Sequence, residues 1–235
     1  LDFSDADRDA IFETRWNQGA FNFLAAFNDL MSSKEANKYA VEFVHRKIHE
    51  RVRDPAVAEL LCPKDHPLGT KRLCVDTDYH ETYNRDNVTL VDVKTTPIKQ
   101  IVPSGLQVGD DTYPLDAIVF ATGFDAMTGA LMNIDIRGRG GMAFRDKWAD
   151  GPSSYLGVAV TGFPNLFTVT GPGSPSVLSN MMVSIEQHVE WIADCIGHLE
   201  ANAVAAIEPD QAAENTWMTH VNQVASELLY EESNT

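Results

Sequence analysis

Two adjacent cations, Lys71 and Arg72 in the loop string GTKR, form the sharpest chemical signal in the chain. An arginine carries a charge that no working pH removes and a planar fork of donors, so it can stabilise a developing anion in a water-poor site. A lysine beside it offers a compact charge suited to a phosphate. By spacing alone, two such neighbours in a Gly-containing loop are more often solvated surface charges. A second signal is LDAIVFATGFDA, in which Asp116 precedes a continuous apolar stretch and Ala121, Thr122 and Gly123 close it. A buried strand ending in glycine lets the backbone approach a flat cofactor or its phosphates, although many α/β proteins end a strand this way simply to turn. The third is GPGSPSVLSNM, a Gly- and Pro-rich turn ahead of a long helix, which holds Ser176, Val177, Leu178 and Met181. Free N–H groups and the positive end of the dipole make such a turn a seat for an electron-rich group; Met181 and Met182 also suit plain helix core, the reading preferred for Met182.

Other patterns fail their context tests. Gly138 to Ala143 satisfies a relaxed GxGxxA, but FRDKWADGP after it is no amphipathic helix. His80-Glu81 lacks the second histidine of HExxH and no GxSxG occurs, so zinc-protease and α/β-hydrolase readings have no support, and no metal site is expected. His188 and His198 fall on the polar side of the long helix, where solvation is the commoner fate. Trp148, Trp191 and Trp217 read as core aromatics. His66, ahead of Arg72, is within loop reach of a cofactor but is more often a surface histidine.

The elements that must position these residues change character along the chain. The first third reads as a helical packing module. Ser4 with Asp5 and Asp7 opens one helix, Ser32 with Glu35 makes a capping box for the next, and Asp54-Pro55 opens a third. Beyond Pro63 short strands take over: Val88 to Val93, Pro97 to Val102, and Gly105 to Val108 before the turn Gly109-Asp110-Asp111. The run Ala117 to Phe120 is too continuously apolar for a half-exposed strand and suits a parallel sheet covered on both faces. A strand over Asn165 to Thr170 leads into the Gly-Pro turn, and Val177, Leu178, Met181, Met182, Ile185, Val189, Ile192, Ile196 and Leu199 keep helical spacing after it. A last helix lies around Trp217 to Leu229.

Composition narrows the function classes. The 235 residues are 44% hydrophobic and 22% charged, an ordinary globular balance, with a formal net charge of −16. That field repels phosphate backbones and anionic membrane surfaces, so nucleic acid and membrane are poor partners. Three cysteines without a CxxC pair fit reduced thiols in a cytoplasmic protein, and no apolar run is long enough to span a bilayer. Residue 1 is Leu rather than an initiator Met, which suggests sequence lost upstream.

The string LDAIVFATGFDA resembles the Ala-Thr-Gly motif of class B flavoprotein monooxygenases, and its continuation GFDAMTGAL narrows the likeness to the Baeyer-Villiger branch, near the phenylacetone and steroid monooxygenases. KDHPLGTKRLCVDTDYHETYNRDNVTLVDV, IRGRGG with KWADGPSSYLG, GFPNLFTVTGPGSPSVLSNM and SIEQHVEWIADCIGHLEAN resemble successive segments of that family in its order. The likeness therefore covers essentially the whole chain. It implies an α/β fold, part of a Rossmann-like flavoprotein with two dinucleotide-binding domains. Residues 1–65 would be a helical insertion of the NADP domain, 66–115 the C-terminal part of that domain, and 116–235 the C-terminal part of the FAD domain. It also implies FAD and NADPH as cofactors, with a ketone and O2 converted to an ester or lactone through a negatively charged flavin peroxide. Arg72 matches the active-site arginine that stabilises the peroxide and its adduct and contacts the nicotinamide. Lys71 matches a residue near the 2′-phosphate. Asp116, Ala121, Thr122 and Gly123 fall on the cofactor motif, Ser176, Val177 and Leu178 on pocket-lining positions, and Met181 on a neighbour of flavin and substrate.

The departures matter equally. No GxGxxG follows a strand, and both the family's Gly-, His-, Trp- and Pro-containing fingerprint and the acidic residue that orients the arginine are absent. The expectation is a C-terminal fragment whose partner is the missing N-terminal half, inactive alone. Two other readings stay open: a related N-hydroxylating flavoprotein, and a non-catalytic remnant or partner-binding piece.

Overall fold

The structure, a computed structural model, describes residues 3–125, 127–174 and 180–233. It divides into two compact units, the first running to Gly123 and the second over Phe124–Glu232.

In the first unit the helix signals translate directly into caps. Helix α1 (Asp5–Gln18) opens on Ser4, whose hydroxyl accepts from the N–H of Asp7, and closes at Gly19, whose N–H donates to the Trp16 carbonyl. Helix α2 (Lys34–Arg51) is capped by Ser33, whose Oγ accepts from Ala36 N–H at 3.2 Å, not by Ser32. The N–H groups of Ser32 and Ser33 both turn back onto the Asp29 carbonyl, which delays the helix by a residue and leaves the expected Ser32–Glu35 box unformed. Helix α3 (Pro55–Leu61) begins as expected, with Asp54 Oδ1 accepting from Ala56 and Val57. Between α1 and α2 the chain folds Phe23 back so that the rings of Phe12, Phe23 and Phe43 lie 5.3–5.5 Å apart, with Trp16 edge-on to two of them. This aromatic cluster with Leu30, Ala36 and Ala40 is the core of the helical module.

After the one-turn helix α4 (Tyr79–Thr82) comes a three-stranded antiparallel meander, β1 (Ile98–Val102), β2 (Gly105–Val108) and β3 (Asp111–Pro114). Gly105 sits at φ 150°, and a Cβ there would meet the Tyr113 carbonyl oxygen at 1.9 Å, so the strands close on glycine alone. Strand β3 is absent from the sequence expectation, which reads Asp111 as turn; its residues pair with β2 from Val108 onward.

Two expected strands are corrected. Val88 to Val93 forms turns and unpaired chain, and Leu115 to Phe120 forms no strand. Most of its apolar side chains are exposed, Val119 by 88% and Phe120 by 71%, while Ile118 is half-buried. A strand buried on both faces needs flanking strands for its backbone and helices for its side chains, and among the described residues no strand or bridge pairs with Ala117 to Phe120. Among the described residues the chain is mixed helix and antiparallel sheet.

The second unit holds two one-turn helices, α5 (Gly129–Met132) and α6 (Phe144–Lys147), and two long ones, α7 (Met181–Ala201) and α8 (Gln211–Ser226). Phe144, Trp148, Val160 and Phe163 make its core. The expected strand at Asn165 to Thr170 reduces to one bridge, Ala159 with Phe167. The relaxed GxGxxA opens only a 3-10 turn, Arg139–Gly141, as its context implied. Glu214 of α8 is 1% exposed and gathers Lys147 Nζ at 2.9 Å, Ser153 Oγ at 3.0 Å and the Thr161 N–H at 2.7 Å. Burial alone raises this carboxyl's pKa, but the Thr161 N–H, the Lys147 ammonium and the Ser153 hydroxyl together bring it below its ordinary value.

Helix α7 carries further corrections. Met181, Met182, Val189 and Ile196 of its expected core face are exposed, as is Trp191, while Trp148 is buried as expected and Trp217 is half-buried. His188, expected in solvent, is buried instead, its Nδ1 accepting from the Thr170 N–H at 2.9 Å. An apolar stripe reports which face favours cover and cannot by itself supply that cover. Among the described residues no helix is long and apolar enough to cross a membrane.

Candidate functional site

The loop that carries Lys71 and Arg72 is built from α2. Asn37 lies on the inner face of that helix, 3% exposed, and its amide Nδ2 donates to the carbonyls of Leu30 and Leu68, both at 2.9 Å. Its Oδ1 accepts from the Leu68 N–H at 2.9 Å, so one side chain satisfies both backbone groups of Leu68. Gly69 follows at φ 86°; a Cβ there would lie 2.5 Å from Met31 Sδ and 3.0 Å from Leu24 Cδ2, so the loop presses onto the helical module only because that side chain is missing. Thr70 is buried, its N–H and Oγ1 both directed at the Pro67 carbonyl. Three consecutive residues are thereby fixed immediately ahead of the two cations.

Those cations line a cavity of about 660 Å³ with His45, Ile48, His66 and Tyr79. His66 thus joins Lys71 and Arg72 here. Its Nδ1 lies 2.6 Å from Asp65 Oδ1; that hydrogen bond, with the Lys94 ammonium, holds the Asp65 carboxyl well below the usual carboxylate range. The Arg72 guanidinium stands over the Phe21 ring, 4.5 Å from its centroid. A mostly apolar hollow with two cations on its wall fits a ligand that pairs flat apolar rings with phosphate, the chemistry of a dinucleotide.

Asp116, Ala121, Thr122 and Gly123 are exposed, and none lines this cavity. Gly123 holds φ 84° with nothing within 4 Å of a built Cβ, so its glycine answers to backbone conformation and not to crowding. Met181 starts α7 in the second unit, and Asn180 Oδ1 already accepts from the neighbouring Met182 N–H at 3.0 Å. Ser176, Val177 and Leu178 lie outside the described residues. The turn before them is pinned from several sides: Ser154 Oγ donates to the Pro172 carbonyl at 2.6 Å and Trp217 Nε1 to that of Gly173 at 3.1 Å.

Sequence reasoning missed Asn37, Gly69 and Phe21. The one legible hint was Asn37 itself, a polar residue between Ala36 and Ala40 on an otherwise apolar helix face. Among the described residues His49, Glu59 and Cys62 bring donor atoms within 4.8 Å of one another. They are already committed: Glu59 pairs with Lys64 at 2.6 Å and His49 at 3.3 Å, and burial pushes the Cys62 thiol up, away from the thiolate a metal would bind.

No protein-family model matches the chain. Among curated proteins it is 47% identical over 234 residues to the 2-oxo-Δ3-4,5,5-trimethylcyclopentenylacetyl-CoA monooxygenase of Pseudomonas putida, covering 99% of this chain and 43% of that protein. It is 42% identical over 230 residues to a Baeyer-Villiger monooxygenase of Pseudooceanicola batsensis, covering 97% and 42%. It is also 41% identical over 233 residues to the phenazine N-monooxygenase PhzNO1 of Lysobacter antibioticus, covering 98% and 42%. Among solved structures, that of OTEMO in complex with FAD and NADP superposes with a TM-score of 0.94 at 46% identity, over 99% of this chain and 43% of that one. The chain spans less than half the length of the relatives it matches.

Proposed function

The chain belongs to the Baeyer-Villiger monooxygenase family, and from that premise we propose that it is the C-terminal part of an FAD- and NADPH-dependent enzyme that converts a ketone to an ester or lactone. In that reaction one oxygen atom of O2 enters beside the carbonyl, the other leaves as water, and NADPH supplies two electrons. When bound, the flavin with NADPH brings the oxygen-activating chemistry that no side chain here carries. Arg72 donates to the anion that develops on the substrate, through a charge that stays on at every working pH. Lys71 holds the 2′-phosphate of NADPH. Asp116, Ala121, Thr122, Gly123 and Met181 contact cofactor, and Ser176, Val177 and Leu178 line the substrate pocket, as the family likeness implies.

The observation that carries this reading is the pair of cations on one cavity wall, at the end of a loop clamped by Asn37. In the complete enzyme residues 1–65 serve as the helical insertion of the NADP domain, 66–115 as the end of that domain and 116–235 as part of the FAD domain. There the bare run Leu115 to Phe120 becomes an inner strand of a Rossmann-like sheet whose other strands come from the N-terminal half. The three free cysteines suit the reducing cytoplasm.

The deciding experiment uses the full-length flavoenzyme. Arg72→Ala should lower the rate of ketone oxygenation by about 10²–10³-fold, the usual effect of deleting one donor to a developing oxyanion. Ester formation at the parental rate would end the proposal. A second reading, oxidation at nitrogen, draws on the 41% identity to the phenazine N-monooxygenase. Turnover of an N-heteroaromatic substrate in place of ketones would select it.

A further inference from the structure

We propose that Phe21 is the positioning residue for Arg72, which makes the helical module part of the reaction machinery and not packing alone. The inference rests on the reading of Arg72 as the group that faces the reacting anion. Phe21 occupies the 3-10 turn Ala20–Asn22 directly after α1, and its ring centroid lies 4.5 Å from Arg72 Cζ. Both backbones at this contact are fixed. On one side Asn22 N–H and Nδ2 both bond the Gly19 carbonyl, at 3.3 and 3.0 Å. On the other, the Asn37 clamp and the tight seat of Gly69 set the chain that leads to Arg72.

The geometry suits the task. A guanidinium held over a ring is attracted by the ring's negative face, which confines the charged end of the side chain to one place. A long arginine side chain has many rotamers, and a contact that narrows them lowers the entropy cost of ordering it at each turnover. Among the described residues no ring lies under Lys71 of the same loop, in keeping with a point charge whose direction matters less.

The test replaces Phe21 in the full-length flavoenzyme with mono-, di- and trifluorophenylalanine, which keep the ring's shape while weakening its negative face. Turnover should fall stepwise, reaching about two- to five-fold at the trifluoro ring, with the melting temperature and flavin content unchanged. In an Arg72→Gln background the residual turnover should be flat across the same series, because no cation then stands over the ring. Equal turnover across the series, or the same decline with uncharged glutamine at position 72, would overturn the proposal. Failure of the underlying reading looks different: Arg72→Ala would then leave ketone oxygenation intact whatever ring stands at position 21.

Discussion

The loop Leu68 to Arg72 and the run Leu115 to Gly123 both carry residues proposed for cofactor chemistry, and the chain treats them in opposite ways. The first is held by side-chain hydrogen bonds from Asn37 and by the close seat of Gly69, all within one helical module. The second is bare, with Val119 and Phe120 largely in solvent and Phe124 beyond it 99% exposed. A loop clamped by a neighbouring amide needs only the element that carries the amide. An inner strand needs a ladder on each edge and a layer on each face, so its stability belongs to a whole sheet.

The largest effect that separates the two regions is expected at Phe120. In the full-length enzyme Phe120→Ala should cost about 3–5 kcal/mol if the run is buried there, while in this chain alone it should cost less than about 0.5 kcal/mol. Denaturant titration of both forms checks this, and equal costs would remove the distinction. Glu214 supplies a control inside the second unit. Glu214→Gln strands the Lys147 ammonium beside an uncharged partner and should destabilise that unit by about 3 kcal/mol. The sign with pH follows from its depressed pKa. Its folded carboxyl binds a proton less readily than the unfolded one, so its stabilisation is complete above its ordinary value near 4.5 and is lost as pH falls through the lower folded value. Acid titration of the Gln variant should lack that component.

A smaller loss is expected at the clamp. Asn37→Ala leaves both backbone groups of Leu68 without their partner and should cost about 2–3 kcal/mol, with faster hydrogen exchange at the Leu68 amide. If that amide exchanges no faster, the loop is held by something other than Asn37. Smallest is Gly69→Ala, about 1–2 kcal/mol from positive φ and the Met31 contact, which a flexible thioether partly absorbs. A Tm equal to the parent would show that the seat is looser than its distances imply.

How legible the molecule was depends on the range of the interaction involved. Helix starts at Ser4 and Asp54 were readable because a cap is chemistry between residues three positions apart. The Ser32 to Ser33 shift was not, because the Asp29 carbonyl competes for the same N–H groups. Strands β1 and β2 were readable as short segments with a turn after the second, whereas β3, beyond that turn, was hidden by a charged, polar composition that only its pairing explains. In the site, Lys71 and Arg72 could be singled out by charge type and likeness, but neither Phe21 nor Asn37 announces from its neighbours what it will touch.

Taken alone, the string of residues determined the caps at Ser4 and Asp54, which stretches are apolar, and where two cations stand side by side, since each is a property of side chains a few positions apart. Tertiary structure alone decided that residues 21 and 72 meet, that His188 is buried while Met182 is not, and that the run ending at Gly123 stands uncovered. Periodicity specifies that a face is apolar; burial is a relation between that face and another surface, which no single segment contains.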